Sequence, residues 1–482
     1  MTPTLVLVLA AGEGTRMRSS LAKVLHPANG RTLLGHVLAA TEMVGAEHTC
    51  VVVGHQRDRV CAWLADVHPT ARTAVQAEQH GTGHAVRVGL EQLQASELDV
   101  STGTVMVLAG DTPLLTGETL AALQREHDAS GAAATVLTAI VADATGYGRI
   151  VRDANGDVLG IVEHKDASDE QRAIGEFNTG IYVFDLPLLR EALTLLTTDN
   201  AQGEEYLTDV LSILRRDGRR IAASVAPNAD ELMGVNDRVQ LALASGLLRE
   251  RTAEYWMRAG ATIIDPATTW IEAEVTIGRD AVIEPNTQLK GRTAIGEGAH
   301  VGPDTTLTDC IVETAATVIR THALQAVIGK GASVGPFTYL RPGTVLAEKA
   351  KAGAYVEMKN ATVGRGSKVP HLSYVGDAEI GEDTNIGAAT IFVNYDGVNK
   401  HRTIVGSGVR IGSDSMLVAP LTIGDGAYTA AGSVITSNVP AGSLAVARAT
   451  MRIIEQWVLR RRPGTNSATL AQAALDKNGD TA

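Results

Sequence analysis

Two hydrophobic rhythms run along the chain. Near the start, Thr4-Leu5-Val6-Leu7-Val8-Leu9 and Val105-Met106-Val107-Leu108 are short continuous apolar runs, the pattern of parallel strands buried on both faces. From Ile277 a branched or long aliphatic residue instead returns every sixth position: Ile277, Ile283, Leu289, Ile295, Val301 and Leu307. The step resumes at Ile328, Val334, Leu340 and Leu346, at Ile380 and Ile386, and at Val405, Ile411, Leu417 and Ile423. A six-residue step fits neither the helical period nor the two-residue period of an isolated strand. It fits a hexapeptide parallel β-helix, in which one aliphatic residue per side points inward and glycines or small residues turn the corners.

Between the two rhythms, residues from about Arg238 to Ala259 are rich in helix formers and interrupted only by Gly246, which predicts a long linker helix. The expected layout is an α/β domain over 1–238, the linker at 239–259, a β-helix over 260–450 and a partly disordered tail at 451–482. Three segments depart from the hexads: Phe337 to Gly343, Val356 to Asn360 followed by Lys368 to Asp377, and Ala388 to His401, the last long enough for a projecting loop.

Composition narrows the function classes. A net charge of −12 argues against broad nucleic-acid or anionic-membrane binding, so any phosphate must meet a local basic patch. Only 4% aromatics with 49 glycines suits a solenoid with tight corners. Cys50, Cys61 and Cys310 lack metal-ligand spacing and read as buried thiols of a reducing compartment. With no signal-peptide pattern and no membrane-length apolar run, the expectation is a cytoplasmic protein.

The first strand runs directly into Ala10-Ala11-Gly12-Glu13-Gly14-Thr15-Arg16-Met17. A small-residue loop between strand and helix lets backbone N–H groups approach a phosphate. It is neither a dinucleotide fingerprint nor a P-loop, and on its own Gly-x-Gly is an ordinary turn. Arg16, Arg18 and Lys23 shift the balance, because cations just past the glycines suit a triphosphate. Asp111, at the carboxyl end of a parallel strand after Ala109-Gly110, is placed for a Mg²⁺ ligand.

With Lys23-Val24-Leu25 following, the opening resembles the sugar-nucleotide pyrophosphorylases. The resemblance implies a UDP-N-acetylglucosamine site of Leu9, Ala10, Ala11, Gly12, Arg16, Lys23, Gln76, Gly81, Thr82, Ala109, Gly110, Asp111, Gly148, Glu163, Asn178 and Asn236, in which the segment Gln76-Ala77-Glu78-Gln79-His80-Gly81-Thr82-Gly83-His84-Ala85 reads the nucleobase and the segments holding Gly148, Glu163 and Asn178 bind the sugar. It also implies that Asp111 and Asn236 hold Mg²⁺. Nucleotidyl transfer is an in-line displacement at phosphorus and needs positioning and charge neutralisation; no covalent nucleophile is required.

On the solenoid, His371 lies among Arg341, Lys359, Tyr374, Asn385, Asn394 and Tyr395. One imidazole among cations and amides suits general-base work on an amine beside a bound phosphate. These segments, in order with those of the first half, resemble the bacterial bifunctional N-acetylglucosamine-1-phosphate uridylyltransferase and glucosamine-1-phosphate acetyltransferase family, over almost the whole chain to about Arg448. The resemblance implies an α/β, Rossmann-like nucleotidyltransferase domain with a mostly parallel sheet, then a left-handed parallel β-helix. It implies His371 as the catalytic base, Arg341 and Lys359 on the sugar phosphate, and Tyr374 and Asn385 on the sugar. Ala388, Asn394, Tyr395, Ser413, Ala431 and Arg448 are implied to line acetyl-CoA and sugar clefts between subunits of a homotrimer. The substrates implied are UTP, glucosamine 1-phosphate, N-acetylglucosamine 1-phosphate and acetyl-CoA. Glu13 and Ala109 depart from residues that some relatives carry, Lys and an aromatic, and the tail beyond Met451 is longer than in many.

Overall fold

A computed structural model describes residues 3–96, 101–154, 156–200 and 202–479. The chain divides into two compact units, Met1–Ala315 and Ala316–Ala482.

In the first unit nine of the described strands form one sheet. Leu5–Ala10 lies between His48–Val53 and Thr104–Ala109, parallel to both, and Arg72–Val75 continues the parallel edge. Glu176–Asp185 enters antiparallel between Thr104–Ala109 and Ala134–Ile140. The apolar runs follow from this geometry: Leu5 and Leu7 pack into the core on one face of the sheet, while Val6 and Val8 pack into the core on the other. A strand that is buried on both sides cannot alternate.

The linker helix spans Arg238–Arg258, as its composition predicts, and Asp237 caps it by accepting hydrogen bonds from Val239 and Gln240. Before it in the chain, a hairpin of Pro27–Ala28 and Arg31–Thr32 turns through Asn29 (φ 48°) and Gly30 (φ 87°), the Asn-Gly pair that a two-residue hairpin favours. Its tip docks on the helix and on the start of the solenoid. Asn29 donates from Nδ2 to Thr252 (3.1 Å), the Ala273 N–H donates to the Asn29 carbonyl (3.1 Å), and Arg31 pairs with Glu274 at 2.6 Å. These bonds tie the first coils to the α/β part, so the unit boundary comes later than the change of fold.

The hexad run forms stacked parallel coils, a left-handed parallel β-helix. Thr276 pairs with Ala294, Gln288 with Thr306 and Val327 with Val345, each one coil further on. All sixteen hexad positions are buried, the least so being Ile277 at 7% exposure. Buried hydroxyls two residues before the inward-pointing residue, such as Thr287, Thr293, Thr344 and Thr390, donate to corner carbonyls at 2.7 Å.

Three sequence expectations need correction. First, glycine or a small residue does not turn every corner: Phe337, Tyr355, Leu372 and Asp414 occupy corners equivalent to that of the small Ala389, with φ between 47° and 59°. Such backbone costs about 1–2 kcal/mol per residue outside glycine, and the Phe337 and Tyr355 rings stack there at 5.2 Å. Second, Val356 to Asp377 does not leave the ladder. It contains the regular strands Glu357–Val363 and Tyr374–Ile380. The phase slips because some sides have five residues, not six, yet Met358, Val363, Val369 and Val375 remain fully buried. Third, the tail, whose composition from Pro463 onward reads as mostly disordered, carries helices among its described residues. The alanine-rich stretch Asn466–Gly479 is a helix, in keeping with alanine's helix propensity, and Trp457–Arg461 is a short one before it.

Candidate functional site

The carboxyl ends of Leu5–Ala10 and Thr104–Ala109 lie side by side and open a cleft of about 340 Å³. Leu9, Ala10, Ala11, Gly12, Lys23, Gln76, Gly81, Thr82, Ala109 and Asp111 line it. Local bonds shape the rim. Gln79 Nε2 donates to the Ala11 carbonyl (2.7 Å), and Gln76 Nε2 donates to the Gly81 carbonyl (3.1 Å). Gly81 is required: at φ 104° a Cβ there would fall 2.5 Å from the Glu205 carbonyl. Gly12 has nothing within 4 Å of the place a Cβ would take, which leaves its side of the loop open to a ligand.

At the floor, Asp111 and Asn236 meet. The Val235 N–H donates to the Asp111 carbonyl (2.9 Å), and Gln240 Oε1 accepts from the Asn236 N–H (2.7 Å). Lys23 forms an ion pair with Asp111 and also reaches Asn236 Oδ1 at 3.3 Å, while Arg16 donates to the same oxygen at 3.0 Å. One carboxylate and one amide oxygen, already bridged by a cationic group, form the hard oxygen donor set that a divalent cation accepts. Among the described residues no three His, Cys, Asp or Glu cluster as a larger metal site.

Beside this floor, Gly148 accepts at its carbonyl from the Asn178 N–H (2.8 Å), and Asn178 Oδ1 accepts from the N–H of Gly180, a cleft residue (3.1 Å). Glu163 faces Gly148, accepts from Thr208 Oγ1 at 3.4 Å, and has its pKa raised mainly by burial, with Asp166 and Asp209 adding to the effect. Gln79, Gly180 and Glu204 line the cleft without having been singled out from the sequence. Gln79 lies between the predicted Gln76 and Gly81, and only its bond to the Ala11 carbonyl brings it to the cleft rim.

In the second unit the site residues fall into two files. Ala354 pairs with His371 across adjacent coils, and the next coils place Ala388, Ser413 and Ala431 in sequence above it. Backbone bonds mark each step. The Ala389 N–H donates to the His371 carbonyl (3.3 Å), Asp414 to Ala388 (2.7 Å) and Gly432 to Ser413 (2.9 Å). Arg448 tops the file, donating to the Ala431 carbonyl at 3.0 Å. The His371 side chain is exposed.

The second file stacks Tyr339, Glu357 and Tyr374, with Lys359 beside Gly376. Arg341 pairs with Glu357 at 3.0 Å. Asp377 anchors the file by accepting from Asn360 (2.7 Å) and Asn394 (2.6 Å). Burial opposes ionisation of Asp377, but those two bonds and the cations Lys400 and Lys359 outweigh it and lower its pKa. Lys400 lies against Lys359 and, with Arg341, holds the Lys359 ammonium below the ordinary lysine range. A lysine depressed by neighbouring cations is relieved by an anion placed between them.

Lys400 was absent from the sequence reading. It arrives because the excursion 394–402 folds back on itself: Tyr395 bridges Lys400, and Asp396 accepts from Val398, Asn399 and His401. Only this part projects, since Ile391–Val393 is still a ladder strand. Asn385 sits apart from the second file, stacked between Lys368 and Arg410.

Comparison with known proteins agrees with both halves. Residues 6–149 match the MobA-like NTP transferase domain family. The bifunctional protein GlmU of Streptomyces avermitilis is 60% identical over 476 residues, covering 98% of this chain and 98% of the relative. Those of Corynebacterium efficiens and Pseudarthrobacter chlorophenolicus are 56% and 55% identical, covering 97% and 99% of this chain and 96% and 97% of the relatives. At that identity, sustained from end to end, the chain belongs to the bifunctional GlmU family.

Proposed function

We infer that this chain carries out two steps of UDP-N-acetylglucosamine synthesis, acetyl transfer from acetyl-CoA to glucosamine 1-phosphate and uridylyl transfer from UTP to N-acetylglucosamine 1-phosphate. The observation that carries this reading is that one chain, matched end to end by bifunctional relatives, holds two chemically different constellations, one in each unit. Functionally, 1–238 is the uridylyl-transfer part, 239–259 the linker and 260–450 the acetyl-transfer part.

In the cleft, Asp111 and Asn236 would hold Mg²⁺, which when bound neutralises phosphate charge. Gly12 leaves room for the nucleotide, and Arg16 and Lys23 balance negative charge at the α-phosphate as the sugar 1-phosphate oxygen attacks and pyrophosphate leaves. Glu163 and Asn178 orient the sugar. On the coil face, Arg341, Lys359 and Lys400 take the phosphate of glucosamine 1-phosphate. His371 removes a proton as the 2-amine attacks the thioester carbonyl. The C–S bond breaks and the CoA thiolate is protonated. An exposed base is completed by a neighbouring subunit, in keeping with a homotrimer that places acetyl-CoA against Ala388, Ser413, Ala431 and Arg448. Thiols rather than disulfides at Cys50, Cys61 and Cys310 suit the cytoplasm.

The test follows CoA and pyrophosphate release together on the purified protein. His371→Ala should lower acetyl transfer by about a thousandfold or more and spare uridylyl transfer, with Asp111→Ala doing the reverse. Retained acetyl transfer in His371→Ala would leave a nucleotidyltransferase on a structural solenoid.

A further inference from the structure

Lys23 holds the position that the metal reading assigns to a divalent ion. Its ammonium contacts both Asp111 Oδ2 and Asn236 Oδ1, the latter at 3.3 Å. The Lys23 and Asp111 side chains are only 15% and 18% exposed, so water screens the pair weakly. The root of Lys23 cannot shift. Its backbone lies in the 3-10 turn Lys23–Leu25, whose Val24 and Leu25 are buried, and Gly14 packs so closely that a Cβ there would sit 2.6 Å from Lys23 Cβ. Freedom is left only to the distal methylenes and the ammonium.

We propose that Lys23 is a resident counter-ion of the metal locus, and that divalent cation binding requires its ammonium to swing away. The inference rests on the assignment of Asp111 and Asn236 as metal ligands. A divalent ion coordinated at roughly 2 Å from these oxygens and an ammonium on the same oxygens repel each other at contact range. The free enzyme therefore binds metal weakly. A triphosphate arriving with its metal offers the displaced ammonium new oxygens, so nucleotide and metal load together. Lys23 thereby serves in turn as a lock on two metal ligands and as a phosphate contact. Arg16 donates to the same Asn236 oxygen at 3.0 Å and, as a second cation on it, gives way with Lys23 when the metal and its triphosphate bind.

The experiment measures Mn²⁺ binding to the full chain without nucleotide, by calorimetry and by loss of the free Mn²⁺ resonance. Lys23→Met and, in case that variant folds poorly, Lys23→Gln should each tighten Mn²⁺ by about tenfold or more. Lys23→Arg, which keeps the charge, should not tighten it. Adding Asp111→Asn to Lys23→Met should remove the gain. Unchanged or weaker Mn²⁺ binding in both neutral variants overturns the proposal. If Asp111→Asn still removes binding from them, the metal assignment survives that failure. A gain in Lys23→Met that Asp111→Asn leaves untouched means the ion binds elsewhere, which overturns the metal assignment and the proposal with it.

Discussion

The cleft and the coil face place polar groups by opposite means. In the cleft, Lys23 meets Asp111 across 88 residues of sequence and Asn236 across 213, so the geometry exists only once the whole sheet has formed. On the coil, His371, Ala388, Ser413 and Ala431 follow one another through parallel register, and each position is set by the coil beneath it. The environments differ accordingly. Glu163 in the first unit is shifted mainly by burial, while the half-buried Lys359 in the second is shifted mainly by the neighbouring Lys400. An enclosed site tunes charge by excluding water; an open one must do so by crowding like charges.

This contrast breaks most visibly if a coil residue is truncated. Phe392 is fully buried two residues before Asn394, and Phe392→Ala should cost about 3–5 kcal/mol. Unfolding of the second unit should move to lower temperature and acetyl transfer should fall, with uridylyl transfer retained. Equal loss of both activities would show that the units do not stand independently.

Acid should single out the first unit. His36 is 8% exposed, and burial, with Arg31 and Arg251, lowers its pKa from 6.5 to about 4 against the pull of the Ala28 carbonyl. The folded value lies below the unfolded one, so the neutral ring supports the fold above about pH 6.5. That support is lost as pH falls towards about 4, to an extent of roughly 3 kcal/mol. Denaturant melts between neutral and mildly acidic pH should show this slope, and His36→Gln should flatten it.

The smallest effect sharpens the account of the coil face. A Cβ at Gly376 would lie 2.4 Å from the Tyr374 hydroxyl and 2.7 Å from Asn394 Nδ2. Gly376→Ala should therefore raise KM for glucosamine 1-phosphate about tenfold and leave pyrophosphate release unchanged.

Legibility in the sequence followed the same divide. The hexads and the Leu5–Ala10 strand were readable because burial imposes a period or a run on the sequence itself. The period disappeared between Leu307 and Ile328, where five-residue sides put Val312, Val318 and Ala323 in the core out of phase. A residue omitted at a corner shifts the count without altering what is buried. Asp111 stood out by its place at a strand end and Asn236 only through the family resemblance, while the Lys23 contact joining them was hidden, since no local pattern encodes a bond across 213 residues. Lys400 stayed hidden because its approach to Lys359 depends on how a loop folds back on itself.

That loop has one more consequence. Residues 394–402 leave the prism and the pairing resumes undisturbed, Ala378 with Thr403 and Ile391 with Met416. A structure that closes each storey before starting the next lets an insertion lengthen or shorten at little energetic penalty. Descendants of this chain could acquire new substrate contacts at that one point by adding residues, without redesigning any neighbour.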